Sequence, residues 1–129
     1  MTKQEHITYW TETANKDWEA IQSMYKAKAY LHALFFAHLV LEKLCKAHWV
    51  KDNEGNFPPK IHNLLNIVAK TKLELPAEDK DFLAIMNQFQ LEGRYPDYKL
   101  ELYKKYKSVQ TRKILGQVNI IRKCLLKNL

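Results

Sequence analysis

Glycine is nearly missing from this chain. Three glycines in 129 residues are too few for a phosphate-cradling loop or a dinucleotide fingerprint, which need several at fixed spacing. Four prolines leave room for few turns, and no stretch alternates polar and apolar residues with period two, so no sheet is expected. Two cysteines, Cys45 and Cys124, make no disulfide framework. Both fall in apolar, helical-looking runs and read as small buried hydrophobes, which suits a reducing cytoplasm. The only serines, Ser23 and Ser108, have no triad signature beside them. Carboxylates are scattered, without an acid pair of the glycosidase kind, and the two Glu-x-x-His motifs of a di-iron bundle are absent. His38 and Glu42 stand at i,i+4 and would share a helix face, with His62 as a third group from elsewhere. Real metal sites show a fuller ligand pattern, so neither a metal nor a cofactor is expected. The opening "MTKQEHITYW" has no basic-then-apolar signal pattern. The most apolar run, residues 31–50, carries Glu42, Lys43 and Lys46, which argues against a membrane span.

What is present is helix-forming and basic. Leu, Lys, Ala and Glu dominate, and the length suits one domain with a real core over residues 1–129. The formal net charge is +7, a statement about attraction to polyanions rather than about fold. From Lys99 to Leu129 there are nine Lys or Arg against one acid, Glu101. That third of the chain is either a solvated helix face or a surface for RNA or an acidic partner.

Five helices are predicted, in an all-α bundle. The first runs from about His6 to Ala27 with Trp10, Ala14, Trp18, Ile21 and Tyr25 on one face. The stripe then restarts out of phase, which places a tight turn at Lys26–Ala29. The second runs from about Tyr30 to Trp49. It is apolar nearly all round through Leu31, Leu34, Phe35, Phe36, Leu39, Val40, Leu41 and Leu44. Such a helix is either central in a bundle or covered by a second subunit, and here a homodimer is expected. "KDNEGNFPPK" is a loop. A short helix follows, with Ile61, Leu64, Leu65 and Val68 on one side, and His62 at its start either caps or orients the loop or contacts phosphate. The fourth starts around Pro76 with Glu78 and Asp79 at its positive end. It uses Phe82, Ile85, Met86 and Phe89, and ends near Glu92–Gly93. The last begins within 101–108 and reaches about Lys127, with Ile114, Val118, Ile121 and Leu125 inward.

Between the last two helices lies "EGRYPDY", residues 92–98, with the one Arg of the first 111 residues. Gly93 suits a left-handed cap, and Pro96 pushes Tyr95 out of helical geometry. The stretch reads as a hinge or as a recognition loop in which Arg94 presents its planar fork to phosphate. The competing reading pairs Arg94 with Asp97 or a carboxylate such as Glu42. Just beyond, Tyr95, Tyr98, Tyr103 and Tyr106 interleave with Lys99, Lys104, Lys105 and Lys107. Such tyrosines either stack on single-stranded nucleic acid or pack on the bundle end beside solvated lysines.

Taken together, "AYLHALFFAHLVLEKLCKAHWV" (29–50), "PPKIHNLLNIV" (58–68), "LPAEDKDFLAIMNQF" (75–89) and "GRYPDY" (93–98) resemble the HEPN domain in order and spacing. The resemblance implies an up-and-down helical bundle that commonly dimerises. It also implies a place in prokaryotic defence or toxin–antitoxin systems, often beside a nucleotidyltransferase whose substrate the helical protein helps to bind. One branch of the family is metal-independent ribonucleases marked by an Arg and a His with four to six residues between them. This sequence departs from that signature. The relevant positions are Lys99, Leu100 and Glu101 after Arg94, Gln117, Val118 and Asn119 after Arg112, and Lys127, Asn128 and Leu129 after Arg122. The expected reading is therefore a non-enzymatic module. Arg94, Tyr95 and Asp97, with His38, Glu42, Lys43 and Lys46 of the second helix and His62 before the third, would face a nucleotide, RNA or a partner protein. A ribonuclease with a His from elsewhere and a purely structural interaction protein are the alternatives.

Overall fold

The structure, a computed structural model, describes residues 1–92, 101 and 104–129. Among them five helices are bounded and no strand occurs: α1 Lys3–Lys26, α2 Tyr30–Asp52, α3 Leu64–Val68, α4 Ala77–Glu92 and α5 Ser108–Lys127.

The first helix starts three residues earlier than its apolar stripe suggests. Thr2 and Glu5 form the reason: the Thr2 hydroxyl accepts from the Glu5 amide at 3.1 Å and donates to the Glu5 carboxylate at 3.2 Å. One threonine thus satisfies an amide that no helical turn can reach. The turn into α2 lies where the phase shift puts it. The Ala29 amide donates to the Met24 carbonyl and the Lys28 amide to the Tyr25 carbonyl, which is a Schellman closure. Lys28 takes the left-handed position at φ 61°, where glycine is the ordinary choice.

α2 packs against α1, α3, α4 and α5, so it is the axis of the bundle. Leu34, Val40, Leu41 and Leu44 are fully enclosed, each worth roughly 1.5–3 kcal/mol relative to an exposed position. The apolar girth of α2 is thus absorbed within the chain, and Phe35 is its one large apolar side chain left 37% exposed. The helix also runs to Asp52, beyond Trp49. Its end is held by a residue far away in sequence: the Lys3 ammonium donates to the carbonyls of Val50 at 2.7 Å, Asn53 at 2.7 Å and Gly55 at 3.0 Å. Those carbonyls have no partner within the helix.

Asn63 caps α3, its side chain accepting from the amides of Leu65 and Asn66. His62 therefore does not cap this helix but lies on the approach to it, and Ile61 packs on the core from the same segment. Pro76 precedes α4, its carbonyl accepting from Asp79 and Lys80. The inward face of α4 is Leu83, Met86 and Phe89, whereas Ile85 is 52% exposed and Phe82 only half-buried. Two apolar stripes compete on this helix. Side-chain bonds from Asn87 to the start of α3, and from Gln88 to the Tyr106 hydroxyl, select the one that faces inward. On α5, Val118, Ile121 and Leu125 are buried and Ile114 half-buried, as the periodicity requires. Tyr106 is buried edge-on against Phe89, with ring centroids 5.2 Å apart, while Lys104, Lys105 and Lys107 are exposed.

Candidate functional site

The middle of α2 carries polar residues into the bundle. Glu42 has a side chain only 6% exposed, with Lys46 one turn along at 7%. Burying a lone carboxylate costs several kcal/mol, so its oxygens need partners. They have them. Glu42 Oε2 accepts from Lys46 Nζ at 3.0 Å, and Oε1 accepts from His62 Nδ1 at 3.0 Å. Lys46 also stands 5.6 Å from the ring centroid of Trp10 on α1. The i,i+4 spacing of Glu42 and Lys46 lets one helix supply both charges.

His38 completes the arrangement one turn before Glu42. It is 1% exposed, and burial pushes its pKa down, the Glu42 charge acting in the other direction. The ring is therefore neutral at pH 7, and Nε2 donates to the His62 carbonyl at 3.1 Å. Its Nδ1 is 3.9 Å from Glu42 Oε1. On the far side, Asn87 Oδ1 accepts from the Leu64 amide at 3.0 Å and Nδ2 donates to Asn63 Oδ1 at 3.3 Å. Backbone and ring of His62 are thus both held, the first by His38 and the second by Glu42.

The chemical result is an oriented imidazole. With Nδ1 engaged by a buried carboxylate, Nε2 is the ring atom left without a protein hydrogen bond among the described residues, on a side chain 44% exposed. A carboxylate–imidazole pair of this kind fixes tautomer and direction together. Cys45 next to the network is not a nucleophile: burial, and secondarily the Glu42 charge, push its thiol up to about 12.

Of the residues singled out by sequence, His38, Glu42, Lys46 and His62 come together. Lys43 does not, because it turns to α1 and pairs with Asp17 at 2.6 Å. Arg94, Tyr95 and Asp97 lie outside the described residues. Sequence reasoning missed Asn63, Asn87 and Trp10. Asn63 carried a local signal, an Asn directly before an apolar helical run. Asn87 and Trp10 act through contacts between helices and carry none. Cys124, read as buried, is half-buried, and both cysteines are free thiols.

Among the described residues no helix is long and apolar enough to cross a membrane. A search of curated proteins finds no match. The crystal structure of TT1696 from Thermus thermophilus is similar with a TM-score of 0.78 and 17% identity, over 95% of this chain and 98% of that one. At that identity the likeness speaks for the fold. A sequence profile of the HEPN domain matches residues 7–129, which takes in α2, the His62 segment, α4 and α5. By that match the chain belongs to the HEPN domain family.

Proposed function

We propose that this HEPN domain is a non-catalytic binding module for a nucleotide or RNA, assisting a partner nucleotidyltransferase in a prokaryotic defence or toxin–antitoxin setting. It acts as a single cytoplasmic domain without a cofactor. The observation that carries the reading is the Glu42–His62 pair at 3.0 Å, which spends a buried carboxylate on aiming one half-exposed ring. The contact satisfies the buried carboxylate and at the same time leaves Nε2 as the nitrogen without a protein partner among the described residues. Nε2 accepts from a ribose hydroxyl, and Arg94 supplies the phosphate fork, with Asp97 orienting it and Tyr95 alongside. α4 ends five residues past Asn87, about 8 Å of helix, so Arg94 follows closely on the network in sequence.

The test is thermal shift with ATP, GTP and a short single-stranded RNA. A ligand at one hundred times its Kd stabilises the folded state by about 2.7 kcal/mol. Arg94→Lys is expected to abolish the ligand-induced rise while leaving the unliganded Tm within a degree or two, and His62→Ala to abolish it at a lower unliganded Tm, because Glu42 Oε1 loses its partner. Ligand shifts that survive both substitutions would remove the reading.

The same pair favours a second reading, a metal-independent ribonuclease in which His62 is the general base. Incubation with single-stranded RNA in EDTA separates the two. No cleavage is expected; cleavage abolished by His62→Ala would put the second reading first. Homodimerisation is proposed on the habit of the family, since the apolar face of α2 is already covered within the chain. Light scattering at micromolar concentration decides it.

A further inference from the structure

α5 presents a second chemistry on the side where it meets α1. A groove of about 280 Å³ runs between them, lined by Trp18, Tyr25, Arg112, Gly116 and Asn119 among others. The Arg112 guanidinium lies 5.8 Å from the Tyr25 ring centroid, and the Arg122 guanidinium 4.8 Å from that of Trp18. Asn119 Oδ1 accepts from Arg122 Nε at 3.1 Å, so this guanidinium is held by a ring and by an amide. Neither arginine has a carboxylate partner among the described residues. The two are ten residues apart, about 15 Å along α5, and their aromatic supports are seven apart, about 10 Å along α1.

Gly116 sits between them. A glycine inside a helix costs roughly 1 kcal/mol relative to alanine, and packing usually explains its presence. Here a Cβ would meet nothing within 4 Å. The space over the helix backbone is open, flanked by two unneutralised cations. Nothing inside the protein needs that space.

We propose that the α1/α5 groove is a ligand site for the phosphodiester backbone of single-stranded nucleic acid, with Arg112 in its lining and Arg122, held on the lining residues Trp18 and Asn119, contacting phosphates. Guanidiniums held over aromatic rings are pre-oriented donors, and the rings and guanidinium planes are of the kind on which bases stack. The surrounding charge has the right sign: α5 carries Arg112, Lys113, Arg122, Lys123 and Lys127 and no acid. The site shares no residue with the Glu42 network, and the proposal does not rest on that reading.

Fluorescence anisotropy of the full chain, with labelled twelve-residue oligo-uridine, oligo-thymidine and polyglutamate, tests it across a salt series. Each phosphate contact on a single strand contributes roughly 0.7 to the slope of log K against log salt. Arg112→Gln/Arg122→Gln is expected to weaken binding of both strands at least tenfold and to lower that slope by about 1.4. Gly116→Leu is expected to weaken it similarly with an unchanged or higher Tm, because it fills the groove and favours the helix. Lys70→Gln/Lys80→Gln removes the same charge from exposed positions elsewhere and is expected to change affinity less than threefold. The series is repeated in the His62→Ala background, which removes the contact proposed at the Glu42–His62 pair, and the arginine pair is expected to cost the same factor there, so the groove is read apart from that site. Uridine binding without thymidine binding would assign the groove to RNA, and binding of both to single strands generally. The proposal fails if the arginine pair behaves like the lysine pair. It fails too if Gly116→Leu binds as the unaltered chain does, or if polyglutamate binds more tightly than either strand.

Discussion

At Glu42 the charged atoms have partners at 3.0 Å and almost no water, whereas along the α1/α5 groove two guanidiniums rest on aromatic rings with no carboxylate beside them. The first region has spent its electrostatics internally. What it offers outward is a direction, the set of the His62 ring. The second has kept its charge available and offers attraction rather than orientation. Burial separates the two regimes. A charge in the core must be paired to be tolerated, while one at the surface is stable without a partner and so remains available to a ligand.

The largest effect that would break this contrast is at Glu42. Glu42→Ala leaves Lys46 buried and unpaired, and stability is expected to fall by about 3–5 kcal/mol in urea unfolding. Replacing both, as Glu42→Leu/Lys46→Met, is expected to recover most of that loss while His62 loses its orientation. If the single and double variants were equally unstable, the network would be holding the fold by something other than charge pairing.

Next in size is the response to pH. His38 and His48 both have pKa values pushed down by burial, so the unfolded chain binds more protons than the folded one as acid is added. Stability is therefore full above about 6.5, the unfolded value, and falls below it until the folded pKa values are passed. The slope reaches up to about 1.4 kcal/mol per pH unit for each histidine. Tm measured from pH 7.5 to 5 is expected to be flat and then descend, and His48→Asn should shallow the descent.

The smallest effects sharpen the other side. Gly116→Ala is expected to raise stability by up to about 1 kcal/mol, since nothing crowds the added methyl. Arg122→Gln is expected to lower it by about 0.5–1 kcal/mol through lost stacking on Trp18. A larger loss would mean that this arginine serves the fold before any ligand.

The parts of the molecule written in short-range pattern were legible beforehand. The α1–α2 turn followed from a phase shift in the apolar stripe, and the inward face of α5 from its period. The order and spacing of segments carried the family. The inward face of α4 was not legible, because Phe82, Leu83, Ile85, Met86 and Phe89 allow two stripes and the choice lies in Asn87 and Gln88 bonds to other elements. The site divides the same way. His38, Glu42 and Lys46 share a helix face that spacing reveals, but that Lys43 serves Asp17 follows only from where α1 packs. The fit of Trp18 with Arg122 spans over a hundred residues of sequence and leaves no local trace.

The Lys3 ammonium has a mechanical consequence. α1 and α2 are joined at one end by the covalent turn at 27–29 and at the other by a cation shared among three carbonyls. A helical hairpin fastened at both ends is harder to open than one fastened at the turn alone, so local opening is expected to start on the α3–α4 side. Amide exchange is expected to rank accordingly, slowest along the paired faces of α1 and α2 and faster through the short α3.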